Sequence, residues 1–177
     1  MTERSPNPRA IELSAFCRRG QSVSGTWPLA TLARLNAAFS AATDGEVTFW
    51  ATGTLQSVAG AGPQQWLELN ASAVVPLQCQ RCLQTLAEPL QVQRRIRFVP
   101  TEEEAARLDE ASDDDVLLQP GRLDLQELLE DELILALPLV PRHTVCPEPL
   151  DAVSAHELQE TQDRAHPFAA LAALRKR

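Results

Sequence analysis

The sequence predicts an α+β fold: an antiparallel β-meander sheet packed by two main helices, with an acidic loop and a short C-terminal helix. Three observations carry that prediction. Apolar residues alternate with polar ones through three successive segments in the first hundred residues, the period of half-buried strands. In two other stretches, 28–40 and 124–137, they recur at helical spacing instead. Hydrophobic residues make up 44% of the 177 positions, enough at this length for one core with appendages.

Residues 1–9 (MTERSPNPR) are polar with two prolines and read as an N-terminal tail. Residues 10–17 (AIELSAFC) alternate, with Ile11, Leu13 and Ala15 on one side, and predict a short strand. In WPLATLARLNAAFS, Leu29, Leu32, Ala33 and Phe39 lie near helical spacing behind a proline that a first turn tolerates. That spacing predicts a helix over 28–40. Beyond Asp44 and Gly45 the period becomes two, with Val47, Phe49, Ala51 and Gly53 set against Glu46, Thr48 and Thr52. A glycine-rich stretch, 59–63, predicts the turn into a second strand carrying Trp66, Leu67, Leu69, Ala71, Ala73 and Val75. A third strand follows Cys82. It has Leu90, Val92, Ile96 and Phe98 on one face, interrupted by Arg94, and Gln91, Gln93, Arg95 and Arg97 on the other.

Pro100 closes the meander, and residues 101–115 hold eight acids and one arginine. They predict a solvated helix and then an acidic loop. Asp124 and Glu127 form a capping pair ahead of a stripe of Leu125, Leu128, Leu129 and Leu133, which predicts a helix over 124–137 with Glu127, Glu130 and Asp131 facing water. Domain organisation follows: a single domain over 10–146, a polar linker over 147–165, and a docking helix over 166–177. That last segment sets Phe168, Leu171 and Leu174 on one side, ahead of Arg175, Lys176 and Arg177. It is too short to be stable alone and so must pack on something, this chain or a partner.

The net charge of −8 is unevenly placed. Residues 1–100 carry nine basic and six acidic residues, whereas 101–177 carry seven and eighteen. An acidic protein does not show the basic footprint of a dedicated nucleic-acid binder. Contact with RNA would fall to local basic positions: Arg81, Arg95 and Arg97, or the terminal Arg175, Lys176 and Arg177. No apolar run reaches the ~18 residues of a membrane helix, and Met1 to Arg9 lacks the apolar core of a secretory signal. A cytoplasmic protein without membrane contact is expected.

Cys79 and Cys82 are the sharpest chemical feature. A two-residue gap lets two thiolates converge on one ion at a tight turn, but tetrahedral zinc needs four ligands. His143 and Cys146 would complete the set; reduced structural thiols are the alternative. A redox pair fits less well, because such pairs open a helix after a parallel strand and these are flanked by strands that read as antiparallel. Cys17 reads as a buried thiol. Among the eight aromatics, Trp66 is the one expected at the surface near Arg95 and Arg97, with Phe98 in the core. The sequence contains no GxSxG, Walker, HExxH or GxGxxG motif, and no catalytic residue is assigned.

Four segments together carry a family resemblance: Leu77 to Leu83 (LQCQRCL), Leu125 to Pro141 (LQELLEDELILALPLVP), His143 with Cys146, and Pro167 to Lys176 (PFAALAALRK). From about residue 10 to the end, the chain resembles the YceD family, described as large ribosomal RNA subunit accumulation protein. The resemblance implies a non-enzymatic bacterial factor in synthesis, processing or stability of large-subunit ribosomal RNA. Its expected partner is a large-subunit ribosomal RNA precursor, or a ribosomal or assembly protein. Many relatives carry a further cysteine pair after the LPxxP segment, resembling a zinc site with the first pair; this chain keeps only Cys146 there, with His143 placed to substitute. Two rival functions stand beside it. One is a protein-only adaptor that binds a basic ribosomal protein through the acidic region. The other is a thiol- or metal-dependent enzyme built on Cys79 and Cys82.

Overall fold

The computed structural model describes residues 6–57, 62–110 and 115–147. Its architecture is α+β, with a five-stranded mixed sheet in the order β1-β2-β3-β4-β5. The strands are β1 (Ser22–Pro28), β2 (Glu46–Gln56), β3 (Gln64–Gln78), β4 (Thr85–Val99) and β5 (Asp115–Leu118). The first four form an antiparallel meander, and β5 joins β4 in parallel. The fully antiparallel meander predicted from sequence therefore stops one strand short. The four helices among the described residues are α1 (Leu13–Arg18), α2 (Ala33–Asn36), α3 (Glu102–Asp109) and α4 (Leu125–Leu135).

Alternation in the three predicted strands becomes a two-faced sheet. Val47, Phe49 and Ala51 of β2, Leu67, Leu69, Ala71, Ala73 and Val75 of β3, and Leu90, Val92, Ile96 and Phe98 of β4 are all buried. They share one core with Leu13 and Phe16 of α1, Leu29, Leu32 and Leu35 around α2, and Leu125, Leu129 and Leu133 of α4. Those helices therefore cover one face, while α3 packs against β4 and β5. Gly53 marks the closest approach. A Cβ built there would lie 2.4 Å from Cδ1 of Phe16 and 3.1 Å from the Cys17 nitrogen. Arg94 interrupts the inward face of β4, and its Nε donates to the Glu132 carboxylate at 2.7 Å.

Several predicted elements change identity. The strand expected at 10–17 is mostly helix: Glu12 accepts the Ala15 N–H as N-cap, and Leu13, Phe16 and Cys17 bury at spacings of three and four. Only Ile11 behaves as a strand residue, pairing with Leu123. Instead of one helix over 28–40, Pro28 ends β1, a 3-10 turn spans Leu29–Thr31, and α2 covers only four residues. Leu32, with ψ 81°, breaks the run, while Leu29, Leu32 and Leu35 still reach the core. Strands β1 and β5 were not expected. Edge pairing made them, since neither has a clean apolar period: their burial runs exposed at most positions. The acidic stretch does open as a helix, with the Thr101 hydroxyl accepting the Glu104 N–H; of the loop predicted to follow, residues 111–114 lie outside the described residues, and its last residue, Asp115, begins β5.

The α4 helix is slightly shorter than predicted, with Asp124 accepting the N–H groups of Gln126 and Glu127. Glu130, expected in water, is buried. Its carboxylate is occupied by the start of α2, accepting the N–H groups of Arg34 at 2.7 Å and Leu35 at 3.1 Å. The segment 148–177, containing nearly all of the predicted linker and the docking helix with Phe168, Leu171, Leu174, Arg175, Lys176 and Arg177, lies outside the described residues.

Candidate metal centre

The site is built at one end of the β3–β4 hairpin. Strand β3 ends at Gln78, and the chain doubles back through residues 79–84. The Cys79 N–H donates to the Gln84 carbonyl and the Leu83 N–H to the Cys79 carbonyl, each at 2.9 Å. Leu83 takes φ 61°, the left-handed conformation needed to close so tight a turn on a non-glycine residue. This folding puts both thiols of the pair on the same side.

A second arm arrives from α4. After Leu135 the chain leaves the helix through Leu137 and Pro138, and the Pro141 carbonyl accepts the Gln80 N–H at 2.9 Å. That bond docks the arm on the knuckle. His143 and Cys146 follow immediately. The Cys82 Sγ lies 3.4 Å from His143 Nδ1, and the Cys79 Sγ lies 3.9 Å from the Cys146 Sγ. One donor atom from each of the four residues falls within 4.8 Å of all the others. A tetrahedral zinc with bonds of about 2.3 Å to sulfur and 2.0 Å to nitrogen sets its ligands roughly 3.5–3.8 Å apart. Three sulfurs and one imidazole at these separations fit that ion. The sixty-odd residues between the two pairs are bridged by tertiary structure alone.

The electrostatics of the cluster agree with its geometry. Burial pushes the Cys79 thiol up, but the backbone N–H groups of Cys82, His143 and Arg81, with the Cys82 thiol, outweigh it and lower its pKa to about 5. The Gln84 backbone draws Cys82 down, yet burial and the neighbouring Cys146 and Cys79 leave its pKa raised. Sulfurs this close resist joint ionisation until a cation neutralises them. Arg81 supplies part of that charge. Its Nε donates to the Cys146 Sγ at 3.0 Å and its Nη2 to the His143 carbonyl at 3.2 Å, and the Cys146 contact raises the guanidinium pKa. Cys17 stands apart, on the buried side of α1, with desolvation pushing it up to about 11.

The other positions singled out in sequence lie elsewhere. Arg81, read there among the RNA-contacting arginines, sits on the cysteine cluster. Arg95 and Arg97 lie on the sheet face opposite the core; the Arg95 guanidinium stands 4.2 Å over the Trp66 ring and donates to Gln56 at 3.1 Å. Trp66, expected at the surface, is only 4% exposed, because these two arginines lie over its ring. The exposed tryptophan is Trp50, at 44%. The signal for it was present, since Trp50 falls in phase with the polar Thr48 and Thr52. The family-like segment leaves Leu139 fully exposed, with Leu135, Val140 and Val145 exposed beside it.

Comparison with known proteins resolves the resemblance. The family described as Large ribosomal RNA subunit accumulation protein YceD matches residues 67–175, more than half of the chain. The chain belongs to the YceD family. The match takes in both arms of the cysteine cluster and α4. A curated relative, the Large ribosomal RNA subunit accumulation protein YceD of Haemophilus influenzae, is 36% identical over 111 residues, covering 58% of this chain and 61% of the relative. This chain thus spans less than two thirds of that relative's length. No solved structure matches the chain. None of the described helices is long and apolar enough to cross a membrane.

Proposed function

We propose that this YceD-family protein is a non-enzymatic binding factor that supports accumulation of large-subunit ribosomal RNA, with a structural zinc ion holding its knuckle together. The family match over residues 67–175 is the observation that carries the reading. The cluster supports the non-enzymatic part. Catalytic zinc keeps one position open for water or substrate, whereas Cys79, Cys82, His143 and Cys146 supply a complete set of four protein donors. Zinc there would tie the β3–β4 hairpin to the arm leaving α4 and neutralise thiolates that otherwise repel one another.

A specific feature favours a protein partner as a second reading. The exposed side chains Leu135, Leu139, Val140 and Val145 form an apolar segment beside the cluster, the kind of surface that marks a protein contact. The acidic helix α3, with Glu102 and Glu103 exposed, supplies an independent surface for a basic ribosomal protein.

Depletion of the protein in growing cells, with large- and small-subunit ribosomal RNA quantified in the same extract, tests the main reading. A fall in the large-subunit RNA relative to the small, restored by the wild-type chain, is expected. An unchanged ratio removes the reading.

A further inference from the structure

We propose that the sheet face opposite the core, centred on Trp50, is a docking platform for single-stranded RNA. The proposal rests on the RNA-related function above and assigns it a surface.

The face is organised in rows set by strand register. Trp50 of β2 stands beside Asn70 of β3, which stands beside Gln93 of β4. On one side of that row lie Thr48, Ser72 and Gln91; on the other lie Thr52, Glu68 and Arg95. Around the exposed indole, Thr48, Asn70, Ser72, Gln91 and Gln93 line an open dish of about 260 Å³. That is small for a pocket that encloses a whole small-molecule ligand, and suits one flat group of a longer molecule.

Two properties identify the chemistry of that molecule. First, none of those five polar side chains has a hydrogen-bonding partner among the described residues, although Asn70 is half-buried in the sheet. Amides and hydroxyls left free beside an aromatic ring offer both donors and acceptors to a base edge while the ring stacks on its face. Second, the dish holds no carboxylate, and the cationic side chains of the face lie in the next two rows. Arg95 is held in place by the Trp66 ring and by the side-chain amide oxygen of Gln56, and the residue is exposed. By sheet spacing the backbone at Arg95 stands roughly 12 Å from that at Trp50, two strands across and one row along, and its guanidinium leans to the row beyond, over Trp66. A stacking ring with a fixed cation further along the same face suits a base and a more distant phosphate of one strand. Glu68, opposite Arg95 in register, is the acid on that side and would limit affinity.

A protein partner is better served by the larger apolar surface at Leu135, Leu139, Val140 and Val145, four exposed aliphatic side chains, than by a single indole set among free amides and hydroxyls. A duplex hides its base faces in the stack, so a platform of this kind selects unpaired nucleotides.

The test uses full-length protein and a fluorescent single-stranded oligoribonucleotide of roughly 12 nucleotides, followed by anisotropy at low salt. Wild-type binding is expected to weaken about tenfold or more in Trp50→Ala, the loss of one stacked base, to be largely kept in Trp50→Phe, and to fall in Arg95→Ala. Circular dichroism should be unchanged, because Trp50 lies outside the core. No binding by the wild type, equal binding by Trp50→Ala, or equal affinity for the matching duplex would each overturn the proposal. Loss of a co-purifying ribosomal protein in Trp50→Ala, with RNA binding intact, would also overturn it and assign the face to protein. Trp50-dependent RNA binding without a large-subunit RNA defect on depletion would retain the platform and remove the cellular function; a depletion defect with Trp50-independent binding would do the reverse.

Discussion

Glu130 closes the start of α2 by binding Arg34 twice: Oε1 accepts the Arg34 backbone N–H at 2.7 Å and Oε2 accepts its Nε at 3.1 Å. Oε1 also takes the Leu35 N–H at 3.1 Å. One buried carboxylate thus serves as the N-terminal cap of a helix ninety-odd residues earlier. Most of its value lies in the two backbone groups, because the Arg34 side chain is 48% exposed and its ion pair is screened. Glu130→Ala is expected to destabilise the protein by about 2 kcal/mol, through lost capping and unsatisfied N–H groups. Asp131→Ala, which removes only the exposed pair with Arg34, should cost less than about 1 kcal/mol. Urea denaturation of both variants measures the difference, and equal losses would contradict the assignment.

Zinc content follows from four donors in one cluster. Gently purified protein should contain about one equivalent of zinc per chain. The double variant Cys79→Ser/Cys82→Ser should contain none and melt at lower temperature, and a chelator should lower the wild-type melting temperature in the same direction. Elemental analysis alongside thermal melts decides it; metal-free protein that melts unchanged with chelator would rule out a structural ion.

In metal-free protein the thiols impose a pH dependence. The Cys79 pKa falls from 9.0 unfolded to about 5 folded, so folding favours the thiolate. Its contribution is complete above about 9 and is lost as pH falls through about 5; stability should therefore rise with pH across that window. Cys82, whose folded pKa is raised, opposes part of that rise, and Cys17 also runs the other way. Its pKa rises from 9.0 to about 11, so its contribution is complete below about 9 and lost towards 11. Urea midpoints measured against pH should show the rise, and Cys79→Ser should flatten it while leaving the alkaline decline.

Gly53 faces the Phe16 ring with no room for a methyl group. Gly53→Ala should destabilise by about 1–3 kcal/mol through overpacking, since the Cβ would meet the ring at 2.4 Å. Adding Phe16→Leu should recover part of that loss relative to Phe16→Leu alone. Additive losses in the double-mutant cycle would show that the two sites do not touch.

Much of the fold was legible in the chain. The buried and exposed faces of β2, β3 and β4 followed from alternation alone, and α4 followed from Asp124 and its leucine stripe. The misread elements share a cause. AIELSAFC satisfies both periods over eight residues, and only the Glu12 cap and the Gly53 gap that receives Phe16 make it helical. In WPLATLARLNAAFS the leucines reach the core at a spacing of three through a 3-10 turn, which a 3.6-residue count cannot tell from an α-helix. Glu130 was placed in water because its acceptors' partners, the N–H groups of Arg34 and Leu35, belong to a distant element.

By itself the sequence determined the types of donor available for a metal and the family that carries them, because cysteine and histidine chemistry and motif order are local properties. It also determined the inward phase of three strands, because side chains alternate whatever the neighbours do. Tertiary structure alone decided that Cys79 and Cys82 meet His143 and Cys146, through the bond from Gln80 to Pro141 that brings two arms together. It also decided which tryptophan meets solvent. Trp50 and Trp66 both point away from the core, and only the cross-strand arginines, Arg95 and Arg97, cover one ring and leave the other open.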